Sequence, residues 1–280
     1  MKRVLSVQDL SCVGKCSLGA ALPVLSVMGV EACALPTAVL SSHTAFLNIT
    51  RADLTDRIPA VMDAWGAEGI TFDAILSGYL GAKEQMALVK RLWTQCGKKK
   101  SLRICDPAMG DGGELYRGFD SSYVTAMWEL VRDADVILPN VTEVCLLLGK
   151  PWRDNFTEKE QKDLVLSLAE NIHGSIIMTG YRQDGGGVGA ACYDRAEEKF
   201  LTCCGRQLTG SYFGTGDLFA AVTTGALVRG KSLKEAVRLA VDFTAISIEK
   251  TLEDSDARWY GTDFEKALPW LCRHLQESEV

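Results

Sequence analysis

The chain has 280 residues, 47% of them hydrophobic, with ten cysteines and a formal net charge of −6. That is enough for one substantial core, and the interspersed charges exclude a nucleic-acid footprint, since only Lys98-Lys99-Lys100 concentrates positive charge and reads as a solvated helix end. Met1 to Val7 runs straight into a strand-like segment without a signal-peptide apolar region, and no apolar run could span a membrane, so a cytoplasmic protein with reduced thiols is expected.

Val4 to Val7 predicts a buried strand, Ser17 to Gly29 a helix and Ala32 to Leu40 a second strand. The alternation continues with a helix from about Asp53 to Trp65, a strand Phe72 to Leu76, a helix from about Lys83 to Gln95 and a strand Leu102 to Cys105. After an irregular stretch, Asp106 to Asp120, come a helix Ser121 to Arg132 and a strand Val136 to Leu138 that Pro139 ends. Helices Glu143 to Leu148 and Glu158 to Asn171 follow, then a strand Ser175 to Met178. Beyond Gly185-Gly186-Gly187, the runs Val188 to Tyr193 and Lys199 to Cys204 predict an antiparallel pair at a sheet edge, and the last two helices start near Thr215 and Ser232. Strand and helix in alternation imply a mostly parallel α/β sheet with helices on both faces, in one domain spanning 1–280. Ligands of such sheets sit beyond the carboxyl ends of the strands.

The polar clusters fall at those ends. Gly14-Lys15 after the first strand invites comparison with a phosphate loop, but Asp9 stands at the first glycine position and Cys16 follows the lysine, which leaves Lys15 as an exposed loop residue. The single cysteines in apolar runs, Cys33, Cys105, Cys145 and Cys192, suit small buried residues, and the absence of a Cys-x-x-Cys pair argues against zinc. Asp106 and Asp111 bracket a Pro- and Gly-containing turn. Asn140 and Glu143 have capping-box spacing, which would equally turn an amide and a carboxylate toward a hydrated magnesium ion. Gly214-Thr215-Gly216-Asp217 opens a small-residue helix, where free N–H groups attract an anion and Asp217 is either a cap or a catalyst. Together with Gln8-Asp9 these clusters describe a phosphoryl-transfer site without a phosphate loop. Backbone donors come from the glycine-rich start, a metal ligand from Glu143 or Asp111, and a base from Asp217.

These residues resemble the ribokinase superfamily, and within it the pyridoxal kinase branch. Phe213-Gly214-Thr215-Gly216-Asp217-Leu218-Phe219-Ala220-Ala221 is similar to the family's anion-hole signature. Asp106-Pro107-x-Met109-Gly110-Asp111 with Leu115-Tyr116, Pro139-Asn140-x-x-Glu143, Ser42-His43-Thr44 and Ser77-Gly78-Tyr79 resemble other family segments in the same order. The resemblance implies a ribokinase-like fold and ATP-dependent phosphorylation of a B6 vitamer's hydroxymethyl group. It makes Asp217 the general base and the Gly214, Thr215 and Gly216 amides the anion hole. It puts Asn140 and Glu143 on magnesium and the phosphates with Asp106 and Asp111 nearby, and Thr179 and Tyr116 on the ATP side. Asp9, His43, Thr44 and Tyr79 fall in the vitamin pocket, and the stretch from Ala108 to Gly118 folds over the nucleotide. A homodimer is implied, and help from a monovalent cation is left open.

The sequence departs from the branch at Asp9, where serine is usual, and at Gly14-Lys15-Cys16-Ser17, where Gly-Tyr-x-Gly is usual. A carboxylate at position 9 favours a protonated partner and points to pyridoxamine. Three rivals stand beside this reading. The run Gly-Ser-Asp-x-Ser-Gly-Gly-Ala-Gly that usually follows the first strand of hydroxymethylpyrimidine kinases is absent, a sugar kinase would carry a glycine-rich pattern around Asp9, and a non-catalytic B6-binding module would need neither Asp217 nor Glu143.

Overall fold

The computed structural model describes residues 1–277. Its strands and helices follow in the order β1 (Arg3–Ser11), α1 (Ser17–Val27), β2 (Glu31–Leu40), β3 (Arg51–Asp53), α2 (Ile58–Ala67), β4 (Phe72–Ser77), α3 (Glu84–Gln95), β5 (Gly97–Cys105), β6 (Gly110–Asp111), β7 (Glu114–Leu115), α4 (Ser121–Val131), β8 (Val136–Ile137), α5 (Val141–Leu148), α6 (Glu158–Ala169), β9 (Ser175–Gln183), β10 (Gly187–Asp194), β11 (Lys199–Arg206), α7 (Thr215–Val228), α8 (Leu233–Leu252) and α9 (Phe264–Glu277).

The central sheet runs β11-β10-β9-β8-β5-β4-β1-β2-β3. From β9 to β2 every pairing is parallel; β10 and β11 extend one edge antiparallel and β3 the other. The buried strands alternate between two cores, as a pleated strand covered on both faces must. Val4, Leu76, Ile104 and Ile177 face a layer built from α1, α7, α8 and α9. Leu5, Ile75, Cys105 and Ile176 face the layer of α2 to α6. Chain order reverses between β1 and β4, so the crevice beyond their carboxyl ends is a topological switch point.

The expected mostly parallel sheet, its helices on both faces and its antiparallel β10–β11 edge are all present. Four local expectations need correction. Asp53 does not open a helix: it pairs with Ala38 in the edge strand β3, its side chain accepts from the Thr55 N–H at 2.8 Å, and α2 begins only at Ile58, beside Pro59. Lys98-Lys99-Lys100 is no helix end, because β5 already starts at Gly97. The triplet sits in a register skip opposite Asp73, to which Lys98 pairs at 2.8 Å. The stretch from Asp106 to Asp120 contains the small hairpin β6–β7. Finally, the chain does not end on two helices: α9 adds a third, burying Phe264, Ala267 and Leu271 despite Pro269 in its interior.

All ten cysteines are free thiols. Among the described residues no helix is long and apolar enough to cross a membrane.

Candidate active site

One cavity of about 930 Å³ opens at the carboxyl ends of the parallel strands, and every candidate residue named from the sequence lines it. Gln8 is the exception among the strand-end clusters. Successive side chains of β1 point to opposite faces, so Gln8 turns to Ser6 while Asp9 turns to the cavity. Gly78 makes room for this, since a Cβ there would lie 2.2 Å from the Gln8 Oε1.

The centre of the cavity is the start of α7. Gly214 caps the helix at φ 79°, a left-handed conformation that favours glycine, and a Cβ there would lie 1.9 Å from the Lys15 carbonyl oxygen. No side chain caps α7, so the first-turn N–H groups of Thr215, Gly216 and Asp217 have no side-chain acceptor. The Thr215 hydroxyl donates instead to the Tyr212 carbonyl at 3.1 Å. Asp217 is therefore not the cap of its own helix. Its carboxyl is pushed up to about 7, chiefly by desolvation; the Ser17 backbone N–H opposes the shift, and the charges of Asp106 and Asp9 add to it.

On one side of Asp217 lies a carboxylate cluster. Glu143, 2% exposed, closes a capping box on α5: its Oε2 accepts from the Asn140 N–H at 2.8 Å while Asn140 Oδ1 accepts from the Glu143 N–H at 2.9 Å. The Glu143 Oε1 accepts from the Met109 N–H at 2.8 Å, and Asn140 Nδ2 donates to the Gly110 carbonyl at 2.8 Å, which ties the β6–β7 hairpin to α5. An isolated parallel bridge sets Thr179 beside Asn140. Asp106 follows β5, its Oδ1 accepting from the Ala108 N–H at 3.1 Å. Burial and the neighbouring charge of Glu143 hold Asp106 well above the usual carboxylate range. Glu143 is raised by burial as well. Asp111 and Tyr116 are exposed on the hairpin side.

On the other side the walls are aromatic. His43 tilts against Phe213 with ring centroids 4.7 Å apart, and Tyr79 stacks on Phe119 at 5.6 Å. Thr44 is exposed at the mouth. Asp9, 4% exposed, is held by two hydroxyls, Ser17 Oγ donating to Oδ1 at 2.5 Å and Ser11 Oγ to Oδ2 at 3.0 Å. Burial raises its pKa, while the charge of His43 opposes that shift.

Lys15 is not the exposed loop residue expected. It is absent from the cavity wall, and its ammonium reaches away to Asp263 at 2.6 Å and Glu265 at 3.0 Å. Sequence reasoning also missed Ser11 and Ser17, for which no local pattern exists, and an apolar wall formed by Val188 and Gly189 of β10 with Val241, Thr244, Ala245 and Ile248 of α8. The last four stand at i, i+3, i+4 and i+7, so helical spacing could have revealed that face.

A carboxyl raised toward neutrality, uncapped helix amides and a carboxylate cluster in one crevice suit phosphoryl transfer. The phosphomethylpyrimidine kinase family matches residues 17–258. The chain belongs to that family. It is a kinase of the pyridoxal kinase type, whose acceptor is an alcohol. A pyridoxal kinase of Rubrobacter xylanophilus is 30% identical over 271 residues, covering 89% of this chain and 87% of that protein. A Bacteroides thetaiotaomicron protein assigned as a phosphomethylpyrimidine kinase and crystallised with pyridoxal superposes with a TM-score of 0.90 at 35% identity, covering 96% and 95% of the two chains. The pyridoxal kinase of Lactobacillus plantarum gives a TM-score of 0.89 at 33% identity, with 99% of both chains covered. The ribokinase-like fold and the family inferred from the sequence motifs are thereby established.

Proposed function

We propose that the protein transfers the terminal phosphoryl group of ATP to the 5'-hydroxymethyl group of a B6 vitamer, with residues 1–280 acting as one kinase domain. One observation carries this reading: a single cavity holds Asp217 on an uncapped helix start, between a carboxylate cluster and an aromatic-walled end. The carboxylate of Asp217 takes the hydroxymethyl proton as that oxygen bonds to phosphorus and the bond to the leaving ADP oxygen breaks. A group held near neutrality suits that task. The amides at Gly214, Thr215 and Gly216 stabilise charge on the transferring group. Asn140, Thr179 and Tyr116 face the phosphates, and the apolar wall of α8 and β10 takes the base.

Magnesium fits the donor set. Burial raises both Asp106 and Glu143 above their usual range, and neighbouring carboxylates add to it, Glu143 acting on Asp106 and Asp111 on Glu143, a crowding of negative charge that a cation relieves. Among the described residues no three His, Cys, Asp or Glu side chains converge on a chelating point, and both Glu143 oxygens already accept backbone N–H bonds. Glu143 and Asp111 would therefore hold a largely hydrated ion with few direct ligands. Magnesium bound there would neutralise charge on the ATP phosphates.

Asp9, His43, Thr44 and Tyr79 line the end that would take the vitamin ring. Buried and without a cationic side-chain partner, Asp9 favours a substrate that brings its own positive charge, which makes pyridoxamine the preferred vitamer. That a relative of 35% identity was crystallised with pyridoxal supports a B6 ring there. The enzyme is further taken to be a cytoplasmic homodimer with complete sites in each subunit, and a monovalent cation remains a candidate activator.

The family name favours a second reading, a hydroxymethylpyrimidine kinase. An ADP-release assay with pyridoxamine, pyridoxal, pyridoxine and hydroxymethylpyrimidine separates the two. Turnover confined to the pyrimidine would overturn the B6 reading.

A further inference from the structure

The loop between β1 and α1, residues 12–16, together with Ser17, touches the start of α7 and the aromatic-walled end of the cavity. The Val13 carbonyl accepts the His43 N–H at 2.7 Å. The Lys15 carbonyl lies against the Gly214 Cα, so close that only glycine fits there. Cys16 lines the cavity, the Ser17 backbone N–H acts to lower the pKa of Asp217, and the Ser17 hydroxyl donates to Asp9. Ser17 makes both contacts at φ 48°, a left-handed conformation that a side chain rarely adopts. Such a residue persists only where its surroundings hold it.

Two residues before it, the side chain of Lys15 is firmly anchored. The ammonium pairs with Asp263 at 2.6 Å and Glu265 at 3.0 Å, and the stem packs on Gly261, where a Cβ would lie 2.4 Å from the Lys15 Cβ. Asp263 is itself fixed: it is 6% exposed, its N–H donates to the Thr251 hydroxyl at 2.7 Å, and its second oxygen pairs with Lys266 at 3.2 Å. The lysine that invited comparison with a phosphate loop thus faces the opposite way, into the start of α9.

We infer that Lys15, through its ion pair with Asp263, is a positioning residue that presses the β1–α1 loop onto the start of α7 and so sets the geometry of Ser17, Gly214 and Asp217. The inference rests on the proposed B6 kinase reading for its kinetic readout only.

The test compares Lys15→Met, Lys15→Arg, Asp263→Asn and the double variant Lys15→Met/Asp263→Asn. Lys15→Met should lower kcat about tenfold or more while KM for ATP stays within about twofold, Lys15→Arg should recover most of the loss, and the double variant should be no worse than the poorer single one. A carboxyl titration of Asp217 by carbon-13 NMR needs no turnover. Losing the Ser17 N–H contact should move that titration to higher pH in Lys15→Met and leave it in place in Lys15→Arg, with Asp9, Asp106 and Cys16 the other titrating groups around it. If Lys15→Met fails to fold, Asp263→Asn and Lys15→Arg carry the same comparison. An unchanged kcat with an unmoved titration, or additive losses in the double variant, overturns the inference. Wild-type protein that phosphorylates no B6 vitamer, yet shows the shifted titration in Lys15→Met, overturns the functional reading alone.

Discussion

The backbone N–H of Ser17 bears on the carboxylate of Asp217 and is the one influence that opposes the rise of that group toward neutrality. Desolvation wins over it. A carboxylate poised near pH 7 in a crevice is suited to accept a proton, and the same poise makes it costly to the fold.

Both consequences are measurable in Asp217→Asn. Turnover should fall by about 10²–10⁴-fold while nucleotide binding is retained. In wild type, log kcat/KM should rise with pH below about 7 and flatten above it, and the variant should lose that slope. Stability runs the other way. The folded-state pKa is raised from 3.8 to about 7, so the penalty is absent below pH 4, grows as pH rises between those values and is complete above 7. The variant should therefore melt a few degrees above wild type at pH 8 and lose that advantage near pH 4, as followed by thermal denaturation. A wild-type pH slope surviving in Asp217→Asn would remove Asp217 from the base role.

Asp9→Ser addresses vitamer choice. With the carboxylate gone, Ser11 and Ser17 lose the acceptor they share, and the cavity loses the charge that recognises a protonated partner. The ratio of kcat/KM for pyridoxamine over pyridoxal should fall about tenfold, the scale of one charge-assisted hydrogen bond. An unchanged ratio means that Asp9 only ties its own loop together.

The cavity was largely legible because the residues that line it lie in short contiguous segments at strand ends. Gly214 to Asp217, Asn140 to Glu143 and Asp106 to Asp111 each carry a pattern that can be read without knowing the fold. What could not be read is whatever depends on a bend or a distant partner. The register irregularity between Gln8 and Leu10 depends on pairing with β2, and the pairing of Lys15 with Asp263 spans 248 residues. The secondary-structure errors have the same origin. Asp53 has helix-start chemistry but is drawn into an edge strand by β2, and α9 was obscured by Pro269 although Phe264, Ala267 and Leu271 already show helical spacing. For Asn140 and Glu143 spacing allowed a cap or a metal site. The capping box is present, and with both Glu143 oxygens engaged a magnesium ion bound there would be hydrated and indirectly held.

Removal of magnesium tests that last point. Chelation should abolish turnover, and magnesium should restore it. Asp111→Asn should raise the magnesium concentration needed for half-maximal rate by a few-fold without lowering Tm, because Asp111 is exposed and its side chain accepts from the Gly112 N–H beside it, a contact the amide oxygen of asparagine can keep. Glu143→Gln should lower both rate and Tm. Its amide would face a backbone N–H that now meets an acceptor, at a cost of about 1–3 kcal/mol. Equal magnesium dependence in wild type and Asp111→Asn would take Asp111 out of the metal site.

The two glycines of the proposed anion hole should separate folding from catalysis. At Gly214 a methyl group would meet the Lys15 carbonyl at 1.9 Å with φ at 79°, so Gly214→Ala should destabilise by about 1–3 kcal/mol or fail to fold. At Gly216 the nearest atom to an added Cβ is Asp106 Oδ2 at 4.0 Å, and the backbone is ordinary helix, where alanine is favoured over glycine. Gly216→Ala should therefore fold at least as well as wild type. The new methyl projects into the cavity between the α7 amides and Asp106, where the transferring phosphoryl group would lie, so kcat should fall by about 10-fold or more. Thermal melting and steady-state kinetics on the pair give the comparison. Full activity in Gly216→Ala would place the phosphoryl group elsewhere than at the start of α7.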